Sequence, residues 1–370
     1  MRVLHLGAGN MFGGIESMML TLARERSSCP EMIPEFGFCF EGRISEELRK
    51  TGVKVHHFGA VRFSRPWSIW FARRRLRRLL TEQRPDAVIT HACWPHSLFG
   101  STIVDLKIPV VFWAHDAAHP THWLDRKAAR IHPNRVISNS HYTLQSLKRA
   151  FPQTPAEVIY PPVQAVGVDQ ARRAQLRNEL TIEADTIVIL MASRLEEWKG
   201  HTLLLESLGK LKTHPNWVCW IAGGAQRPQE VDYQSRLQEI AQRKGIQDRI
   251  RWLGERRDVA DLLAAADLYC QPNLSPEPFG IAYVEALYAA KPVISTRQGG
   301  AAEIIDETCG LLVEPNNVEA LAAALKMLID DPDLRVRLGI RGPERASSLC
   351  DSSLQINKLF RQLLVANRRP

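Results

Sequence analysis

The feature that most constrains this chain is a rhythm. Short apolar runs, rich in β-branched and aromatic residues, alternate with helix-period segments from one end to the other. In the first half the runs fall at residues 3–6, 35–40, 53–57, 87–90, 110–113 and 135–138. Helical patterns lie between them, for example at 15–24 and 140–149. In the second half the runs fall at 186–191, 218–222, 250–253, 268–271, 293–295 and 311–313. Strands alternating with helices imply βαβ units and parallel sheets covered on both faces. The rhythm breaks at "IYPPVQAVGVD" (159–169), where Pro161 and Pro162 cannot continue a helix. A chain of 370 residues is also longer than one core usually serves. The expectation is an α/β chain of two doubly wound Rossmann-like domains, 1–162 and 168–350. An interdomain cleft is expected at the carboxyl ends of the strands, where open α/β sheets bind ligands.

Composition excludes several classes. With 45% hydrophobic and 24% charged residues, the chain reads as globular rather than disordered. No apolar run approaches the roughly 20 residues of a membrane span. The chain enters its first strand with no signal-peptide pattern. Seven cysteines are scattered singly and form no CxxC, which fits reduced thiols in a cytoplasmic protein better than disulfides or a zinc site. A formal charge of +8 favours an anionic partner, whether a nucleotide, nucleic acid or lipid surface.

Three motifs carry chemistry. The opening stretch "VLHLGAGNMFGGIESMML" places Gly7, Gly9, Gly13 and Gly14 between a strand and a helix. The spacing after Gly9 is one residue too long for the dinucleotide fingerprint, and the second strand ends near Glu41, well beyond the offset of about 20 residues at which that fingerprint places its ribose-binding acid. Taken alone the loop is either a tight turn or a place where the amides of Gly13 and Gly14 meet a phosphate. In "MASRLEEWKGH" (191–201), Arg194 and Lys199 follow a strand and could neutralise a diphosphate; the alternative is pairing with Glu196 and Glu197. In "PEPFGIAYVEAL" (276–287), Glu277 precedes a helix that starts near Gly280 and Ile281, and Glu285 lies inside it. Free amides at that helix start suit phosphate, and carboxylates accept from sugar hydroxyls. The lone D-x-D, Asp331 to Asp333, reads as a cap and turn, so no metal is assigned.

The run 258–313 resembles the nucleotide-sugar half of a GT-B glycosyltransferase, and in particular the large retaining family 4. Glu277 with Glu285, Arg194 with Lys199, and Gly13, Gly14 and Glu16 match its motifs in order. The resemblance implies that Arg194 and Lys199 hold the diphosphate, Glu277 the donor sugar, Glu285 the ribose, and the N-terminal glycines a phosphate. It implies a histidine beside the sugar, for which His115 is the candidate and His91 and His119 are rivals, with Asp116 supporting the loop. It implies a C-terminal helix, 351–370, packed back on the first domain. The function so implied is retaining, metal-independent transfer from a UDP- or GDP-sugar to an acceptor hydroxyl, in synthesis of cell-envelope glycan, glycolipid or a related glycoconjugate. No further cofactor and no nucleic acid partner are expected. A sugar-nucleotide epimerase, an NAD-dependent oxidoreductase and a basic binding module are the competing readings. The stretch 62–80, with Arg73, Arg74, Arg75, Arg77 and Arg78 beside Trp67, Trp70 and Phe71, reads either as a helix covering the sheet or as a contact with an anionic membrane at its inner face.

Overall fold

Seven parallel strands form one sheet: β1 (Arg2–Gly7), β2 (Ile33–Phe38), β3 (Val55–His57), β4 (Ala87–His91), β5 (Val110–Ala114), β6 (Arg135–Ser138) and β7 (Ala156–Val158). Their order is β3-β2-β1-β4-β5-β6-β7. Six more form a second sheet: β8 (Ile187–Ala192), β9 (Trp217–Ala222), β10 (Ile250–Gly254), β11 (Leu268–Gln271), β12 (Val293–Thr296) and β13 (Gly310–Val313), in the order β10-β9-β8-β11-β12-β13. The structure is a computed structural model and describes residues 1–165, 167, 169–225 and 228–367. The chain divides into two units: Met1–Gln164 with the segment from Cys350, and Ala165–Leu349.

Each sheet starts in its middle, grows to one side for three strands, then crosses back and grows the other way. This is the doubly wound order, with its switch point between β1 and β4 in one unit and between β8 and β11 in the other. The strands are legible in sequence because helices cover both faces. All five residues of β4, all five of β5 and all six of β9 are buried; β5 and β9 are therefore continuous apolar runs rather than alternating ones, and β4 is one up to its last two residues, Thr90 and His91. The sequence reading missed β7. That strand has three residues, lies at the sheet edge and carries Glu157 in its centre, so no apolar run marks it.

The helix Pro66–Gln83 opens with Pro66 in its first turn, where the missing N–H costs nothing, and turns only Ala72, Leu76 and Leu80 into the core. The last helix, Ser352–Asn367, packs within the N-terminal unit. It buries Ile356, Leu359 and Leu363; Asn357 Nδ2 donates to the Ser28 carbonyl at 3.3 Å, and Arg135 donates to Gln362. Burying three such side chains is worth roughly 1.5–3 kcal/mol each, enough to bind this helix to its unit.

Candidate functional site

In the C-terminal unit the switch point lies between β8 and β11. Beyond β8 the chain passes Ser193 and Arg194 into a short turn, Glu197–Lys199, and then the helix His201–Lys210. Gly200 joins the last two with φ of 86°. A Cβ at this position would collide with the carbonyl of Pro272, just past β11. Glycine therefore lets the turn lie directly on the following loop, and the Leu274 amide donates to the Trp198 carbonyl at 2.7 Å. That close approach brings Lys199 Nζ to 2.6 Å from Glu277 Oε2. Lys199 Nζ also lies 3.9 Å from the centre of the Trp198 ring.

Glu277 is 9% exposed. Its Oε2 accepts from Asn273 Nδ2 at 2.8 Å and Gln271 Nε2 at 3.2 Å as well as from Lys199. Its Oε1 accepts nothing among the described residues. Gln271 is in turn fixed by Tyr269, whose hydroxyl donates to Gln271 Oε1 at 2.8 Å. The backbone of Glu277 is clamped by the turn after β12: the Gly300 amide donates to the Glu277 carbonyl at 2.7 Å. Side chains at Gly299 or Gly300 would run into the backbone of Glu277 or Phe279. Those two glycines are thus a packing device for the Glu277 loop.

The helix Ile281–Tyr288 starts after Gly280, whose φ of 107° favours glycine. Among the described residues the amides of Gly280 and Ile281 have no partner, so the positive end of this helix is open. Glu285 lies within the helix, partly exposed, and its burial pushes the carboxyl up to about 7. Arg194 is paired locally, its Nη1 3.0 Å from Glu196 Oε1, while Glu197 pairs with Arg236. The local pairing weighed in the sequence thus holds for Arg194 and not for Lys199. Arg194, Lys199, Glu277, Gly280, Ile281 and Glu285 all lie on β8, β11 connections or the helix after them.

In the N-terminal unit, Gly13 and Gly14 open the helix Gly14–Arg24. The Gly13 amide donates to Glu16 Oε2 at 3.0 Å, so a carboxylate occupies the place an anionic ligand would take. His115 immediately follows β5 and is buried, its carbonyl accepting from Asn139 Nδ2 at 2.9 Å. Its Nε2 lies 3.0 Å from Nδ1 of His91 at the end of β4. Burial pulls His115 down to about 3 and His91 well below the usual imidazole range, so both rings are neutral. His119 is exposed, and its amide donates to Asp125 Oδ2 at 2.8 Å.

Sequence reasoning missed Gln271, Asn273 and Trp198. The available signal was "YCQPN", two amides at the end of an otherwise apolar strand. Asp331 behaves as a cap, its Oδ1 accepting from the Leu334 amide at 2.8 Å. Among the described residues no three His, Cys, Asp or Glu side chains converge to hold a metal ion.

The family model for Glycosyl transferases group 1 matches residues 172–345, and that for Glycosyltransferase Family 4 matches residues 12–165. The two halves of the chain thus each match a glycosyltransferase model. It is 31% identical over 220 residues to the GDP-mannose-dependent monoacylated alpha-(1-6)-phosphatidylinositol monomannoside mannosyltransferase of Corynebacterium glutamicum, covering 55% of each chain. It is 31% identical over 248 residues to the D-inositol 3-phosphate glycosyltransferase of Corynebacterium jeikeium, covering 63% of this chain and 58% of that one. The chain therefore spans a little over half the length of these curated relatives. The crystal structure of Anabaena HepE in complex with UDP and glucose superposes with a TM-score of 0.86 at 24% identity, over 99% of this chain and 100% of that one. The fold is GT-B, with two Rossmann-like units.

Proposed function

We propose that this chain is a retaining glycosyltransferase that moves a sugar from a nucleoside-diphosphate sugar to an acceptor hydroxyl without a metal ion. The observation that carries this reading is the Lys199–Glu277 pair beside an open helix N-terminus. Glu277 offers a free Oε1 to a sugar hydroxyl, Lys199 stands 2.6 Å from its other oxygen, and the Gly280 and Ile281 amides lie three and four residues further on. A cation and open amides suit the charge that builds on a departing diphosphate. Arg194 adds a second cation against that charge when it exchanges Glu196 for phosphate. Glu285 accepts from the ribose hydroxyls. From the N-terminal unit, the Gly13–Gly14 turn contributes amides to phosphate once phosphate displaces the Glu16 carboxylate from the Gly13 amide, and His115, being neutral, contributes a hydrogen bond to the transferred sugar. In the step proposed, the bond from sugar C1 to the phosphate oxygen breaks and the acceptor oxygen bonds C1 on the same face. The acceptor's proton passes to the departing phosphate.

The acceptor proposed is a cell-envelope glycan, glycolipid or related glycoconjugate, approached from an anionic membrane surface. The helix Pro66–Gln83 supports this by leaving Trp67, Trp70 and Phe71 60%, 54% and 52% exposed. Its arginines do not all share that face. Arg73 is drawn inward to the Leu98 carbonyl, Arg75 to the Phe58 carbonyl, and Arg77 pairs with Asp105. Arg74 stacks over Trp70 and is the basic residue that accompanies the exposed aromatics.

A thermal-shift screen against UDP-, GDP-, ADP- and TDP-sugars tests the donor. One nucleotide series should raise the midpoint, with about 2.7 kcal/mol gained at a hundredfold excess over Kd. The product anomer, read by NMR in the presence of EDTA, tests retention and metal independence. Donor isomerised without acceptor would make the chain an epimerase. A shift with NADH alone would make it an oxidoreductase.

A further inference from the structure

Three histidines sit on three neighbouring strands of the first sheet. His5 lies on β1, His91 ends β4 and His115 follows β5, and β1, β4 and β5 are adjacent in that order. His5 Nδ1 is 3.0 Å from His91 Nε2, and His91 Nδ1 is 3.0 Å from His115 Nε2. The ring centres are 5.3 Å apart at both steps, with planes within 16° and 19°. A 3.0 Å contact at that separation requires the rings to lie edge to edge, nearly in line. All three are buried, at 0%, 2% and 7% exposure. His5 Nε2 has no partner among the described residues, and its ring packs on Phe36 at 5.1 Å.

A neutral imidazole carries one N–H and one lone pair, and each shared contact holds one proton. The two contacts therefore run in the same direction along all three rings, and the choice at one end fixes the other. Were His5 protonated on Nε2, that N–H would be buried with nothing to accept it, a rarer defect than a buried lone pair. The proton then sits on Nδ1 of His5, donated to His91, whose own Nδ1–H is donated to His115 Nε2.

We propose that His5, His91 and His115 form one hydrogen-bonded relay, in which the buried His5 end fixes the tautomer of His115 so that His115 presents Nδ1–H, a donor, to an oxygen of the transferred sugar. This rests on the sugar-facing role proposed above for His115. His5 and His91 are positioning residues that act only through His115. Burial holds His5 and His115 near 3, so the relay orients a proton without carrying charge.

The test is the imidazole nitrogen NMR spectrum of the protein labelled with ¹⁵N-histidine, with His115 assigned by difference against H115A. The wild type should show His115 protonated on Nδ1 and bare on Nε2. His5→Phe, which keeps the contact with Phe36 and removes the relay's end, should turn that signal into a tautomer mixture. It should lower kcat about fivefold, the share of one neutral hydrogen bond, while nucleoside diphosphate affinity by calorimetry stays unchanged. A wild-type His115 protonated on Nε2 overturns the proposal, and decides the matter even if His5→Phe does not fold. So does a His115 spectrum that His5→Phe leaves unmoved. A relay seen by NMR in a protein that transfers no sugar would instead count against the proposed function.

Discussion

Beyond β8 and β11 the C-terminal unit sets a cation against a carboxylate, Lys199 and Glu277 at 2.6 Å. Beyond β4 and β5 the N-terminal unit sets imidazole against imidazole, His91 and His115 at 3.0 Å. The two sheets share one strand order, so the same topology delivers both groups to the same edge of their sheets. What the strands carry there differs. Charge-assisted contacts are about twice as strong as neutral ones. One unit is therefore equipped to stabilise developing charge, the other to orient a neutral group.

That contrast breaks most directly at Lys199. Lys199→Ala removes the donor proposed for the leaving diphosphate and should cut kcat by about 10²–10³. His115→Ala should cost about tenfold at most, the loss of one neutral hydrogen bond. Turnover measured at saturating donor compares the two. Equal losses would show that the imidazole does more than orient.

Acidification sharpens the contrast next. Burial lowers His5, His91, His96 and His115, all in the N-terminal unit. The unfolded chain binds protons below about 6.5 that these folded rings refuse, so their contribution to stability is lost as pH falls from 6.5. The loss is on the order of 1 kcal/mol per histidine per pH unit. In the C-terminal unit His201, lowered to about 3, has the same sign. Glu285, raised to about 7, has the opposite one: it destabilises as pH rises from 4.5 to 7. Between pH 7.5 and 5.5, hydrogen exchange should therefore quicken more in the N-terminal unit. Equal quickening in both would overturn the assignment.

Glu285 supplies a smaller and cleaner effect. Replacing its destabilised carboxylate, Glu285→Gln should raise the melting point of the free protein at pH 8, by on the order of 1 kcal/mol of stability, and leave it unchanged near pH 4.5. The same change should weaken binding of nucleoside diphosphate alone, whereas Glu277→Gln should chiefly lower turnover. Calorimetry separates them, and the reverse ranking would exchange their roles along the helix.

The smallest effect belongs to the exposed helix. Trp67→Ser with Trp70→Ser, or Arg74→Glu, should reduce co-sedimentation with anionic vesicles at low salt, each basic residue near the surface being worth about 1 kcal/mol. Nucleotide binding should persist. Wild-type protein that stays in the supernatant with anionic vesicles would remove the membrane from the account.

The sequence by itself determined the strands, because a parallel strand covered on both faces is largely apolar, as β5 and β9 are throughout and β4 is over its first three residues. It also determined which residues carry charge beside a strand end: Arg194, Lys199, Glu277 and Glu285. The short edge strand β7 escaped it, because three residues around Glu157 leave no periodic signal. Partnership was decided only by the tertiary structure. Lys199 and Glu277 are 78 residues apart, and they meet because β8 and β11 are neighbours and Gly200 has no side chain to hold their loops apart. Arg194 turned instead to Glu196, two residues away. His5 reads in the sequence as one polar residue in an apolar strand. It joins His91, 86 residues on, only because the chain crosses back at the switch point and lays β4 against β1. Local pattern fixes what an element is. Which elements lie side by side follows from how the whole sheet closes over its core.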